Sequence, residues 1–188
     1  MKKVLVLLAD GFEEVEALSV VDVLRRGNVD CKMCSIGDEY VRGTHNIIIK
    51  SDCNIRDIDN NDYDAVVLPG GLPGAENLKV DCVKELITKM NKKKKIIAAI
   101  CAAPGTLEYF NILEGKKCTS YPGFIQEKEK VNYVEDEVVV IDNNIITSRG
   151  PATALAFALA ILNELGYINE MEDIKEEMLV NFYNKFAK

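Results

Sequence analysis

Apolar and polar positions fall into two kinds of block along this chain. "KKVLVLLA", "VDCKMCSI", "YDAVVLPGG" and "KIIAAI" are short apolar runs of the kind that form buried strands. Between them, "EEVEALSVVDVLRRG" and "AENLKVDCVKELITKMNK" carry apolar residues at helical spacing, the first closing on Gly27 as a C-cap signal. "AAPGTLEYF" starts another helix, and "TALAFALAILNELG" and "MEDIKEEMLVNFYNKF" read as helices near the C-terminus. "YVRGTHNIIIKSD" predicts a hairpin turning near Gly43-Thr44, and "EVVVIDNNIITS" two short strands around Asn143-Asn144. Strands alternating with helices predict an α/β protein with a mostly parallel sheet covered on both faces. Residues 152–165 are apolar almost all round, so that helix is buried against the core or against a partner.

Composition adds bounds. The chain has 188 residues, 48% hydrophobic and 28% charged, which predicts one domain spanning 1–188, with no linker or repeat to divide it. A chain of this size buries roughly 70% of its unfolded surface. A net charge of −7 leaves no basic field for nucleic acid or an anionic membrane. The basic run at 92–95 reads as a solvated turn. The N-terminal apolar run of six residues, 4–9, is shorter than a signal core of about 7–15, and no segment approaches the ~20 apolar residues of a membrane span. The expected location is the cytoplasm, where the six cysteines stay as thiols. Cys31 and Cys34 form a C-x-x-C, but three apart on a strand they point to opposite faces and cannot join. With no second C-x-x-C and one histidine, a zinc site is short of ligands.

Open parallel sheets place their sites at the carboxyl ends of the strands. Three such ends carry chemistry: "DGFEEVE" at 10–16, "PGGLPGA" at 69–75, and Cys101 in "AAICAAPG". "AAIC" alone fits two readings. Cysteine is a common small buried hydrophobe. A cysteine where a strand turns directly into a helix also has the geometry of a nucleophile elbow. There the first helical amides, from Ala102 and Ala103, favour a thiolate and lower its pKa into a range of about 3.5–7.5. Gly70 and Gly71 are either a simple turn or a close backbone approach, with the Gly71 amide completing an oxyanion hole with that of Ala102. Glu13, Glu14 and Glu16 are ordinary dipole partners at a helix start unless one faces the cysteine, where its pKa rises and it can carry a proton.

Taken together, "LADGFEEVEA", "VVLPGGLPGAENL", "AAICAAP" and "TSRGPATALAFALAILNEL" resemble the motifs of the DJ-1/ThiJ/PfpI superfamily, most closely its DJ-1/ThiJ branch, over nearly the whole chain. The resemblance implies a flavodoxin-like three-layer sandwich, usually a homodimer. It implies an elbow nucleophile at Cys101, a partly buried protonated glutamate at Glu16, and substrate-facing amides from Gly71 and Ala102 beside Gly70. No metal and no cofactor are implied. Two features depart from relatives. Many have a histidine near the cysteine, where "CTSYPGF" puts Tyr121; the protease-like branch has one directly after the nucleophile, where Ala102 stands. The single histidine, His45, falls in the predicted hairpin as an exposed or packing residue. A Cys–His hydrolase, which needs imidazole to move the thiol proton, is therefore poorly matched. The activity implied is a cysteine-dependent, glutathione-independent glyoxalase or deglycase acting on methylglyoxal-like α-oxoaldehydes or early glycation adducts. The alternative is a redox-responsive protein with an oxidisable Cys101 and a sensor or chaperone role.

Overall fold

The computed structural model describes residues 1–59 and 62–186. In chain order the elements are β1 (Lys3–Leu8), α1 (Glu14–Arg26), β2 (Asp30–Ser35), β3 (Tyr40–Arg42), β4 (Ile48–Lys50), β5 (Cys53–Asn54), β6 (Ala65–Leu68), α2 (Gly74–Asn77) and α3 (Asp81–Lys92). They continue with β7 (Ile96–Ile100), α4 (Pro104–Tyr109), β8 (Lys117–Cys118), β9 (Asn132–Tyr133), β10 (Val139–Asp142), β11 (Ile145–Ser148), α5 (Ala154–Glu164), α6 (Ile168–Glu177) and α7 (Val180–Phe186).

One sheet organises them, in the order β10-β11-β7-β6-β1-β2-β5. All its neighbours run parallel except the β10–β11 hairpin. β1 is central, and its alternate side chains feed two cores. Val4, Val6 and Leu8 face α1, α5 and α6, while Leu5 and Leu7 face α2, α3 and α4. The result is the flavodoxin-like three-layer arrangement that the motifs imply. Cys31 lies in the first core and Cys34 in the second, so the C-x-x-C does straddle the sheet.

Several boundaries differ from the pattern-based expectation. The strand read through "YDAVVLPGG" ends at Leu68, and the following Pro-Gly-Gly is irregular backbone. The helix expected over 75–92 is two helices separated at Leu78–Val80, where Val80 is extended (φ −125°). An unbroken helix would set Val83 about 140° around the axis from Leu78; the break lets both residues reach the same core. The C-terminal helix expected over 171–186 begins earlier and is two helices, α6 ending at Glu177 and α7 starting at Val180, with Leu179 at φ 58° between them. A left-handed leucine costs about 1–2 kcal/mol and has no sequence signature. Gly27 follows α1, but Asn28 takes the left-handed angle (φ 56°). The helix expected from Ala102 begins at Pro104, because 101–103 form the turn out of β7.

The packing makes a direct prediction. Phe157 on α5 is fully buried in the core shared with α1. Phe157→Ala is expected to lower unfolding free energy by about 3–5 kcal/mol, read as a fall in the urea midpoint.

Candidate active site

Three strand ends meet at one point. β1 runs into a turn that leads to α1, β6 runs into Gly70-Gly71, and β7 runs into Cys101. Cys101 sits at φ 63°, a strained angle for a residue with a side chain. Two backbone bonds hold it there. Its N–H donates to the Ser148 carbonyl at the end of β11 (3.1 Å), and its carbonyl accepts from the Tyr121 N–H (2.8 Å). The elbow is therefore built by the fold, not by local preference. Its thiol is partly exposed, and the amides of Gly71 and Ala102 bond to the sulfur.

The three acids at the start of α1 have three different tasks. Glu13 is the N-cap; its Oε2 accepts from the Glu16 N–H at 2.8 Å. Glu14 turns outward to the β3–β4 turn. Its Oε1 accepts the His45 N–H at 2.7 Å and its Oε2 lies 2.8 Å from His45 Nδ1. Burial raises the Glu14 pKa, but these bonds outweigh it and leave the group below its ordinary range. His45 keeps a largely exposed ring, raised in pKa by its bond to Glu14. Glu16 turns inward and is fully buried. Its Oε2 accepts the Gly70 N–H at 2.8 Å, and its carboxyl hydrogen-bonds with the Cys101 thiol. The other oxygen, Oε1, has no nitrogen or oxygen partner.

Burial drives the electrostatics of this pair. Desolvation first, then the nearby Glu13 charge, lift Glu16 to about 7 against the bonds from Cys101 and Gly70. The low thiol pKa expected of the elbow is not what this environment produces. Burial and the ionised Glu16 carboxylate push Cys101 up to about 12, outweighing the amides of Ala102 and Gly71. The six-residue α4 starts three residues later and adds little dipole. Above about pH 7 the two acids hold one proton between them, and a thiolate forms when Glu16 holds it.

The glycines are required by contact. A Cβ on Gly70 would sit 2.6 Å from the Cys101 Cβ and 2.7 Å from Glu16 Oε2. Gly71 has φ +91°, and a Cβ there would lie 2.4 Å from the Gly11 carbonyl oxygen. Of the residues singled out from the sequence, Cys101, Glu16, Gly70, Gly71 and Ala102 converge. Tyr121 joins through its backbone, while its ring lies half-exposed, edge-on to Phe124 at 6.0 Å. Ser148, the acceptor that positions the elbow, was not singled out. It lies within the "TSRG" motif, but its role depends on β11 pairing with β7. Among the described residues, Glu13, Glu14 and His45 offer three ligand atoms within 4.8 Å; Glu14 Oε2 and His45 Nδ1 are already bonded to each other, and Glu13 Oε1 lies 3.9 Å from that nitrogen.

A three-layer α/β sandwich with a cysteine elbow and an adjoining buried carboxyl defines a class, and the comparisons place the chain within it. The DJ-1/PfpI family profile matches residues 2–164. Protein dj-1beta of Drosophila melanogaster is 38% identical over 184 residues, covering 96% of this chain and 98% of that protein. The glutathione-independent glyoxalase DJR-1.2 of Caenorhabditis elegans is 33% identical over 172 residues, 87% of this chain and 89% of its own. The solved structure of oxidized Toxoplasma gondii DJ-1 superposes with a TM-score of 0.89 at 33% identity, covering 95% and 98% of the two chains. The chain belongs to the DJ-1/PfpI family.

Two predictions follow from the geometry. Because Glu16 binds its proton more tightly folded than unfolded, its neutral form supports the fold below its ordinary value of 4.5, and that support is lost as pH rises toward about 7. Glu16→Gln, neutral throughout, is expected to melt several degrees above wild type above pH 7, with the difference closing below pH 4.5, in thermal scans across pH. Gly70→Ala is expected to separate Glu16 from Cys101, and iodoacetamide labelling of Cys101 against pH would lose the inflection that Glu16 imposes.

Proposed function

We propose that Cys101 and Glu16 convert small α-oxoaldehydes such as methylglyoxal to hydroxy acids without glutathione. The observation that carries this reading is the buried carboxyl of Glu16 in contact with the elbow thiol, with a pKa lifted to about 7. A group with that pKa both takes and gives a proton near neutrality. The proton of Cys101 passes to Glu16, the sulfur attacks the aldehyde carbon, and Glu16 returns that proton to the former carbonyl oxygen, giving a hemithioacetal and leaving Glu16 as a carboxylate. Glu16 then moves a proton from that carbon to the adjacent one through an enediol, leaving a thioester. Water cleaves the thioester, releasing lactate and the thiol. The amides of Gly71 and Ala102 are placed to stabilise charge beside the sulfur. No imidazole is needed, which suits a site with Tyr121 at its rim. The Caenorhabditis elegans relative named a glutathione-independent glyoxalase supports the same chemistry. Early glycation adducts, which present a related carbon centre, are the second substrate class.

A redox-responsive role uses the same sulfur. The unpartnered Oε1 of Glu16 beside Cys101 is placed to donate a hydrogen bond to an oxygen added to that sulfur, and one solved relative is described as oxidized. The working unit we propose is a homodimer in the cytoplasm. Six free thiols suit a reducing compartment, and the half-exposed apolar side chains of Val15 and Ile47 suit a partner surface.

The deciding experiment follows methylglyoxal loss and lactate formation without glutathione. Cys101→Ser is expected to abolish turnover, and Glu16→Gln to reduce it by about 10²–10⁴-fold. Full activity in Glu16→Gln would overturn the mechanism. No wild-type turnover, with Cys101 accumulating a stable sulfinate under mild peroxide, would favour the redox role.

A further inference from the structure

The Cys31–Cys34 spacing makes no pair, but Cys34 has another neighbour. β2 and β5 run parallel, with Cys34 directly opposite Cys53 and Ser35 opposite Asn54. Both side chains leave the same face of the sheet. Cys34 is fully buried in the core beneath α3, and Cys53 packs against that core from the edge. Each thiol donates a long hydrogen bond to a β2 carbonyl, Cys34 Sγ to Ser35 and Cys53 Sγ to Met33, both at 3.9 Å. Adjacent strands lie about 4.7–4.9 Å apart, within the Cα separation of about 4.4–6.8 Å that a disulfide spans. Cys53 is partly exposed, so an oxidant reaches it first; Cys34 waits behind it.

We propose that Cys34 and Cys53 form a reversible disulfide when the protein meets hydrogen peroxide. The Cys53 sulfur attacks the O–O bond, its proton leaves with the departing oxygen as water, and a sulfenic acid remains. The Cys34 sulfur then attacks that sulfur, the S–O bond breaks, and a second water carries off the Cys34 proton. Two thiols lose two electrons and the peroxide gains them. β5 is a two-residue strand at the edge of the sheet, and a relaxed bridge there sets the two Cβ atoms roughly 3.8 Å apart.

The bridge has a consequence at a distance. Between the two cysteines the chain makes the β3–β4 excursion, whose tip rests on the candidate active site. The Thr44 N–H donates to the Phe12 carbonyl (2.8 Å), its hydroxyl to the Leu72 carbonyl (2.9 Å), and the His45 N–H to Glu14. Joining Cys34 to Cys53 ties the base of this excursion and limits its opening in partly unfolded states.

The test uses the full-length protein carrying Cys101→Ser, so that the elbow thiol does not compete. After peroxide, alkylation and unreduced tryptic digestion, Cys31, Cys34 and Cys53 fall in separate peptides, 27–32, 33–42 and 51–56. The expected product is 33–42 linked to 51–56, lost on adding dithiothreitol, with a melting temperature several degrees above the reduced protein. In Cys34→Ala, Cys53 should stop at a sulfenic acid that dimedone traps. Alkylated Cys34 in peroxide-treated protein, or a bridge from either cysteine to Cys82, would overturn the proposal.

Discussion

A carboxyl group sealed against a thiol is the constraint on which the rest of this structure turns. Glu16 has no exposed surface, and one of its oxygens meets neither nitrogen nor oxygen. A buried carboxylate so poorly solvated resists ionisation, and so does a thiol beside it. The pair therefore gives up its first proton only near pH 7, and the position of the one that remains decides whether the sulfur is a nucleophile. A solvated glutamate or an isolated cysteine would lose this coupling.

Holding that pair in place takes four strand ends and very little side-chain chemistry. Glu16 is presented by the first turn of α1, whose start is fixed by the Glu13 cap. Cys101 is held at its left-handed angle by Ser148 on one side and Tyr121 on the other, both through backbone groups. Gly70 supplies the amide that anchors Glu16 and leaves room where any Cβ would collide with both partners. The strain at Cys101 is thus carried by contacts from β11 and from the segment after β8, remote in sequence. Such over-determination is what allows an unfavourable backbone angle to persist at a site.

The β3–β4 excursion forms a two-stranded sheet of its own, outside the main sheet. It leaves the sheet after β2, touches the turn before α1 and the loop after β6, and returns at β5. Its bond to Glu14 runs through His45, whose pKa that bond raises. Its base is flanked by Cys34 and Cys53.

Local pattern determined much of this protein. The apolar runs that became β1, β2, β6 and β7, the helical spacing of α1, and the placing of chemistry at strand ends all follow from periodicity and from the exposure of strand termini in a parallel sheet. Cys101, Gly70 and Gly71 were legible because a small-residue elbow and a glycine pair violate the preferences of the elements around them. What pattern left open were choices between equals. Glu13, Glu14 and Glu16 are all acids in one helix start, and only packing shows that one caps, one grips the β3–β4 turn and one is buried against sulfur. Ser148 acts through its carbonyl, a group every residue has, so no side chain could announce it. The breaks at Leu78–Val80 and Leu179 answer the need to bring apolar side chains onto a core, which exists only after the chain has folded. The direction of the Cys101 pKa was likewise decided by tertiary structure, because desolvation and the distance to a carboxylate are properties of neighbours brought from elsewhere in the chain. The sequence alone names the groups that carry charge and protons; burial decides which of them keep theirs.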